Sequence, residues 1–241
     1  MLEEALAALR NGKFILLYDF DDRERETDFA IRADAVTRHH VMWMRKDGGG
    51  LICTAVHPEA AKRLGLPFAR DLLASWQGVE RIGEIPYDRK NPSSFSIWVN
   101  HRNTFTGITD RDRSLTISAI ADQVKAAMKG GNGAEFHRIF RTPGHCAILR
   151  AAEGLLDQRC GQTELSIALA GFARITPAVT ICEMLDDETG YALPKEDALR
   201  YAAQHGLPFV EGLVEHLHPG HDGLARLPDP HDFHLVPDVD G

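Results

Sequence analysis

The stretch Asp19-Phe20-Asp21-Asp22-Arg23-Glu24-Arg25-Glu26-Thr27-Asp28 packs six carboxylates and two arginines into ten residues. Like charges this close repel one another unless something positive answers them. A hard divalent cation is one answer, because Mg²⁺ takes one or two carboxylates and completes its shell with water and substrate oxygens. Hydration is the other: the run lies between two apolar segments and could be a charged turn, although it lacks the Gly or Asn that tight hairpins favour. The residue types alone leave both open.

Three further places carry groups that can do chemistry. Arg159-Cys160-Gly161-Gln162-Thr163-Glu164 precedes a helical pattern. Free N–H groups, the helix dipole and a guanidinium there can cradle an anion, and Thr163 can equally be an ordinary N-cap. The run from Asn100 to Arg113 is rich in hydroxyls and arginines; such donors bind phosphate or sugar oxygens, or cap the helix that follows. His145 stands after Pro143-Gly144, and Glu183 closes the apolar run Ala178 to Cys182. An imidazole can move protons near neutral pH, and a carboxylate at a buried strand end suits acid–base work. A structural histidine and a solvated glutamate explain the same two residues.

These residues need elements to hold them. Leu2, Ala5, Leu6 and Leu9 recur at helical spacing and Asn11-Gly12 closes that helix. Strands are expected at 13–18, 29–33, 51–56, 94–100 and 178–182, each apolar or alternating. A helix from Thr37 should bury Val41, Met42 and Met44, and another runs from Pro58 to Leu64. Asp110 or Asp112 should cap a long helix that buries Leu115, Ile117, Ile120, Val124 and Met128. Residues 136–140 and 146–150 read as two strands joined by the turn Arg141-Thr142-Pro143-Gly144. Thr163 should cap a helix, 186–190 is a turn, and a last helix runs from Pro194 to about His205. Residues 78–93 read as a loop. Strands and helices mix without a strict alternation, so the expectation is one α+β domain with a mixed β-sheet over residues 1–215. Residues 216–241, with five histidines and several prolines, read as an irregular tail; no pair of those histidines has metal-ligand spacing between buried flanks.

The chain has 241 residues, 44% hydrophobic and 26% charged, which is an ordinary globular balance and excludes disordered, collagenous and coiled-coil classes. No apolar run approaches the roughly 20 residues that span a bilayer, and the first residues lack the pattern of a secretory leader. With 27 basic and 35 acidic residues the net charge is −8, so neither nucleic acid nor an anionic membrane is an expected partner. Cysteines at 53, 146, 160 and 182 form no CxxC pair, which fits reduced thiols in the cytoplasm.

Taken together, the segments resemble the 3,4-dihydroxy-2-butanone 4-phosphate synthase family, in its single-domain archaeal form. Arg23 to Asp28 looks like its R-E-x-E-x-D acidic loop. Asp47-Gly48-Gly49-Gly50-Leu51-Ile52-Cys53 is similar to its Gly-rich turn and Cys-bearing strand. Thr106-Gly107-Ile108-Thr109 with Asp112-Arg113, Arg141-Thr142-Pro143-Gly144-His145, and Pro177 through Glu183 follow in the family's order. The resemblance implies a Mg²⁺- or Mn²⁺-dependent lyase that takes ribulose 5-phosphate to 3,4-dihydroxy-2-butanone 4-phosphate and formate, on the riboflavin pathway. It implies Glu24 as metal ligand, with Gln162 at the position of a family histidine. Glu26 and Asp28 would orient substrate hydroxyls or take a proton, and His145 and Glu183 would form the proton-transfer pair. Arg23, Cys53, Thr106, Arg141, Arg159, Gly161 and Thr163 would contact the sugar phosphate. It further implies a homodimer with sites between subunits. Gln162, Arg25 and Cys160 depart from the family's usual residues. They admit an alternative: a paralogue of the same fold with a changed substrate or product, or a sugar-phosphate binder without catalysis.

Overall fold

The computed structural model describes residues 2–74 and 92–212. Helix α1 (Leu2–Arg10) has Glu3 and Glu4 in its first turn and Arg10 in its last, matching the helix dipole. Strands β1 (Ile15–Tyr18) and β2 (Thr27–Arg32) flank the acidic loop. Helix α2 (Arg38–Trp43) runs into a π-helical turn, Met44–Gly48, which ends at Gly49 in the left-handed region. Then come β3 (Cys53–Val56), α3 (Pro58–Arg63), α4 (Ala69–Leu73) and β4 (Phe95–His101). After them lie α5 (Asp110–Met128), α6 (Ala134–Ile139), β5 (Phe140–Arg150), α7 (Gln162–Ala173), β6 (Ala178–Glu183), α8 (Lys195–His205) and β7 (Phe209–Glu211).

The seven strands form one sheet in the order β4-β5-β3-β6-β2-β1-β7. β3 runs parallel to β5 and β1 parallel to β7, while the other neighbours are antiparallel, so the sheet is mixed as expected. Both faces are covered, and that is why β1 is buried along its whole length. Alternate residues feed two cores. Leu16, Phe29 and Ile31 meet Val41, Ile117, Ile120 and Val124 on one side. Ile15, Leu17, Ala30 and Ile181 meet Leu6, Leu9, Leu165 and Leu169 on the other. Helix α7 is buried everywhere but Phe172, as befits a helix that is apolar on nearly all sides. Its N-terminal residues therefore sit against the sheet, not in solvent.

Several expectations need correcting. Residues 136–139 are helical: Phe136 and Phe140 pack one turn apart with tilted rings, centroids 4.5 Å, and Asn132 Oδ1 accepts the Ala134 N–H at the helix start. The aromatic run looked strand-like only because it is short. Arg141 to Gly144 is no hairpin turn; it lies within the long strand β5. Val99 pairs with Cys146 and Asn100 with Arg141, so residues 142–145 form a bulge on β5 opposite β4. Helix α5 is capped by Thr109, whose hydroxyl accepts the Asp112 N–H, and Leu115 faces outward at 42% exposure. Met42 is likewise exposed, while Val41 and Met44 are buried. Gly161, not Thr163, is the N-cap of α7. Thr27 and Asp28 belong to β2, where the reading by composition left them in the loop. β7 had no sequence signal, being three residues of a parallel edge. Most of the expected loop 78–93 and all of the expected tail 216–241 lie outside the described residues.

The bulge depends on glycine. A Cβ on Gly144 would stand 2.0 Å from the carbonyl carbon of Val99 and 2.3 Å from the amide nitrogen of Asn100. Gly144→Ala is therefore expected to destabilise the protein by about 1–3 kcal/mol, as overpacking against backbone does. Denaturant melts of the two proteins measure this, and equal midpoints would contradict the tight strand contact.

Candidate active site

Strand register brings the first acidic pair together. Asp28 on β2 is the direct partner of Glu183 on β6, and Cys53 on β3 pairs with Ile181 of the same strand. Side-chain alternation places these residues on the sheet face that α7 covers, with the start of α7 beside them. A cavity of about 340 Å³ opens there, within the usual range for small-ligand sites. Glu24, Glu26 and Asp28 line one part of it, Cys53 and Glu183 another, and Arg159, Gln162 and Thr163 a third, with Ser94 alongside.

The acidic loop is folded around a carboxylate. Asp19, buried at the end of β1, accepts the N–H groups of Glu24 at 2.9 Å and Glu26 at 3.0 Å. Arg23 Nη1 bridges Asp19 at 3.3 Å and Glu24 at 2.7 Å. Arg23 thus holds the shape of the loop and is not among the residues that line the cavity. Asp19 was missed as a site residue because, by type and spacing, it is one acid among six. Ser94 was missed because nothing in its sequence context marks it. Its hydroxyl lies 3.1 Å from that of Thr163.

Burial and crowding set the protonation states. Glu26 is pushed up to about 7, first by burial and then by the charges of Glu24 and Glu183. Asp28 is driven well above the usual carboxylate range, by complete burial and then by Glu183 and Glu26. Glu183 is raised by burial, opposed by the Leu51 N–H that its Oε2 accepts at 2.8 Å. Gly50 makes that contact accessible, since a Cβ there would meet Glu183 Oε2 at 2.4 Å. Cys53 is raised well above its ordinary value by burial and by Glu183, so it stands as a neutral thiol. Both oxygens of Asp28 are buried without a hydrogen-bond partner among the described residues.

The start of α7 supplies the opposite character. Arg159 Nη1 is held at 2.5 Å by Glu164, whose other oxygen accepts the Ala152 N–H at 3.0 Å. Gly161 lets the guanidinium pass, as a Cβ would stand 2.0 Å from Nη1. Gln162 donates from Nε2 to the carbonyls of Leu17 at 3.1 Å and Glu26 at 3.0 Å. Its Oε1 is then fixed, buried and without a partner among the described residues. An amide oxygen in that state, beside Glu24 and Asp28, fits a hard cation. Among the described residues no three His, Cys, Asp or Glu side chains gather as a complete cage. A cation here would complete its shell with water and ligand oxygens, the habit of Mg²⁺.

The remaining candidates form a second group outside this cavity. Arg141 Nη2 donates to the carbonyl of Phe105 and lies 3.2 Å from the hydroxyl of Thr104. Asn100 binds His145 twice and reaches the carbonyl of Thr106. Thr106, Arg141 and His145 are thus brought together, and none of them lines the 340 Å³ cavity. Asn100 was read as the end of the strand 94–100 and the first residue of the polar run to Arg113, and was not singled out within either.

Residues 3–216 match the family model for 3,4-dihydroxy-2-butanone 4-phosphate synthase. A protein of that name from Archaeoglobus fulgidus is 55% identical over 223 residues, 89% of this chain and 92% of that one. A riboflavin biosynthesis protein RibBA from Aquifex aeolicus is 33% identical over 87% of this chain, which spans 46% of that longer protein. A solved 3,4-dihydroxy-2-butanone 4-phosphate synthase in complex with two magnesium ions superposes with a TM-score of 0.71 at 26% identity, covering 88% of this chain and 92% of that one. The fold, the paired acids of β2 and β6 and these matches agree: the chain belongs to the 3,4-dihydroxy-2-butanone 4-phosphate synthase family.

Proposed function

We propose that this chain is a lyase of the riboflavin pathway that converts ribulose 5-phosphate to 3,4-dihydroxy-2-butanone 4-phosphate and formate, in the cavity between β2, β6 and the start of α7. One observation carries the proposal: three carboxyls with raised proton affinity face a cavity that also presents an unpartnered amide oxygen. The reaction needs an enediol, loss of a hydroxyl, a carbon shift and expulsion of one carbon. Each of these steps moves protons near neutral pH.

Glu26, close to neutrality in its proton affinity, takes and returns a proton at a sugar hydroxyl. Asp28 keeps its proton and donates to a second hydroxyl. Glu183, tethered by one oxygen to the Leu51 N–H, accepts at the carbon skeleton with the other. Arg159, Thr163 and the N–H groups opening α7 hold the phosphate, with Gly161 making room. Cys53, a neutral thiol, packs against the sugar. Glu24 and Gln162 Oε1 would hold Mg²⁺ or Mn²⁺, which when bound would supply Lewis-acid polarisation of the ketose carbonyl and adjacent hydroxyl.

His145, Thr106 and Arg141 complete the site from a second copy of the chain. Their position outside the cavity supports a homodimer, as do exposed Trp98, Phe105, Ile108 and Leu115, of which Phe105 is 91% exposed. Cysteines that are free among the described residues support a reducing cytoplasm, and the net charge of −8 argues against nucleic acid. Gln162 supports a second reading, a relative with another product, since it places no titratable group at the cation.

Ribulose 5-phosphate with MgCl₂ should yield formate and the four-carbon ketone phosphate in the NMR spectrum of the product mixture; a different product selects the second reading, and none rejects both. Saturating MgCl₂ should raise the melting temperature by about 5 °C, and Gln162→Ala should abolish that rise without any turnover being measured. His145→Ala and Glu183→Gln should each lower kcat by about two orders of magnitude or more. Remixing the two after dissociation should recover about a quarter of wild-type activity, because half the dimers then hold one intact site of two; no recovery would place both residues in one subunit's site. Glu26 binds its proton more tightly in the folded state, so its stabilising contribution is complete below about 4.5 and is lost as pH rises through about 7. The melting temperature of the wild type should therefore fall relative to Glu26→Gln between about pH 5 and about pH 8, and parallel curves would contradict the assignment.

A further inference from the structure

We propose that Asn100 is a positioning residue that dictates which nitrogen of His145 carries the proton. The inference rests on the proposed reaction only for its consequence; the geometry stands on its own. Asn100 lies near the end of β4, opposite the β5 bulge, and is 3% exposed. Its Oδ1 accepts the backbone N–H of His145 at 2.9 Å. A backbone N–H can only donate, so the amide oxygen must stand there. At the other end Nδ2 donates to the carbonyl of Thr106 at 3.4 Å, and a carbonyl can only accept. Two one-way partners fix the amide, because a flip would set donor on donor and acceptor on acceptor.

The same Nδ2 lies 3.0 Å from His145 Nδ1. An amide nitrogen donates, so Nδ1 must accept, and the proton of the neutral ring sits on Nε2. The clamp is built tightly. Gly107 has φ of 99°, and a Cβ there would stand 2.1 Å from Asn100 Nδ2. On the other side Gly144 presses its backbone against Val99 and Asn100. The two one-way hydrogen bonds hold the amide in place, so the tautomer is set before any ligand arrives.

The consequence is a division of roles. With hydrogen on Nε2, the ring offers a donor to a substrate oxygen and has no lone pair at that nitrogen. His145 then stabilises negative charge on an enediol oxygen through a hydrogen bond, and no bond to hydrogen is made or broken at the ring. Abstraction of protons from carbon falls to the carboxyls, Glu183 and Glu26.

The test is the tautomer itself, read by long-range ¹H–¹⁵N correlation of the imidazole rings in the full-length, ¹⁵N-labelled protein at about pH 8. The His145 signals are identified by their absence in His145→Gln. The wild type should show the proton on Nε2. Asn100→Asp keeps the acceptor for the backbone N–H but replaces the donor with a carboxylate oxygen, so the proton should move to Nδ1. That variant should lose kcat by about a hundredfold or more while KM changes by less than about threefold. A wild-type ring protonated at Nδ1 overturns the proposal whether or not the variant folds, and so does a folded Asn100→Asp whose His145 keeps its proton on Nε2. Failure of the wild type to release formate would overturn the proposed reaction and leave the tautomer result unaffected.

Discussion

Two carboxyls, Asp28 and Glu183, are set face to face across neighbouring strands, the first buried and the second half-buried, and this constraint shapes everything around them. Neither burial nor a like neighbour favours an ionised acid, and here the two effects add. The pair is tolerable in two ways only: protons are retained, or a cation shares the space. The surroundings prepare for both. The Leu51 N–H steadies one oxygen of Glu183. Arg23 sits against Asp19 and Glu24 and offsets part of the loop's charge. Gln162 leaves an oxygen unused at the same place. A core optimised for stability alone would have put an apolar pair at this register, so the acids mark the place where the fold gives up stability for chemistry.

The sheet and its irregularity do different work. The regular part, β2, β3 and β6, fixes Asp28, Cys53 and Glu183 by register and alternation, and α7 lays its N-terminus beside them. The irregular part, the bulge at residues 142–145, carries His145 away from that cavity and holds it by a side-chain amide where ladder bonds are missing. A strand that pairs normally would bury an imidazole at that point or leave it flush with the sheet. The bulge leaves it exposed, on the strand next to the edge strand β4, in a segment where Thr142 binds the carbonyl of Trp98 and Arg141 that of Phe105. Precision is thus supplied by backbone hydrogen bonding on one half of the site and by an Asn clamp between two glycines on the other.

How much of this the sequence carried depends on range. Short apolar runs sufficed for β1, β3 and β6, helical spacing for α1, and a proline at the helix start for α3 and α8. The acidic loop, the α7 start and Glu183 were visible as chemistry-bearing groups because their types are unusual in their settings. Long-range pairing was not visible. Arg141 to Gly144 has turn composition, and only β4 running alongside keeps it extended. Phe136 to Ile139 has strand composition, and packing of Phe136 on Phe140, with Gly133 seated close on the Leu64 backbone before the helix, favours a helix. Asp19 illustrates the limit most clearly: its neighbours in sequence are equally acidic, and its difference is that two backbone N–H groups point at it.

Gln162 shows what an amide can do that an imidazole cannot. The two hydrogens on Nε2 go to carbonyls of Leu17 and Glu26, one on β1 and one on the loop before β2. An imidazole that offers a lone pair to a cation has one N–H left and could hold only one of those carbonyls. The amide therefore ties both β1 and the acidic loop to α7 and still presents an oxygen to the cavity. That oxygen keeps its character at every pH, whereas an imidazole would lose its lone pair on protonation. Proton affinity in the cavity then rests on the carboxyls alone, and it is highest where burial is deepest, at Asp28. In the proposed site the amide would add to Glu24 a ligand that does not titrate, where a histidine would have added one that does.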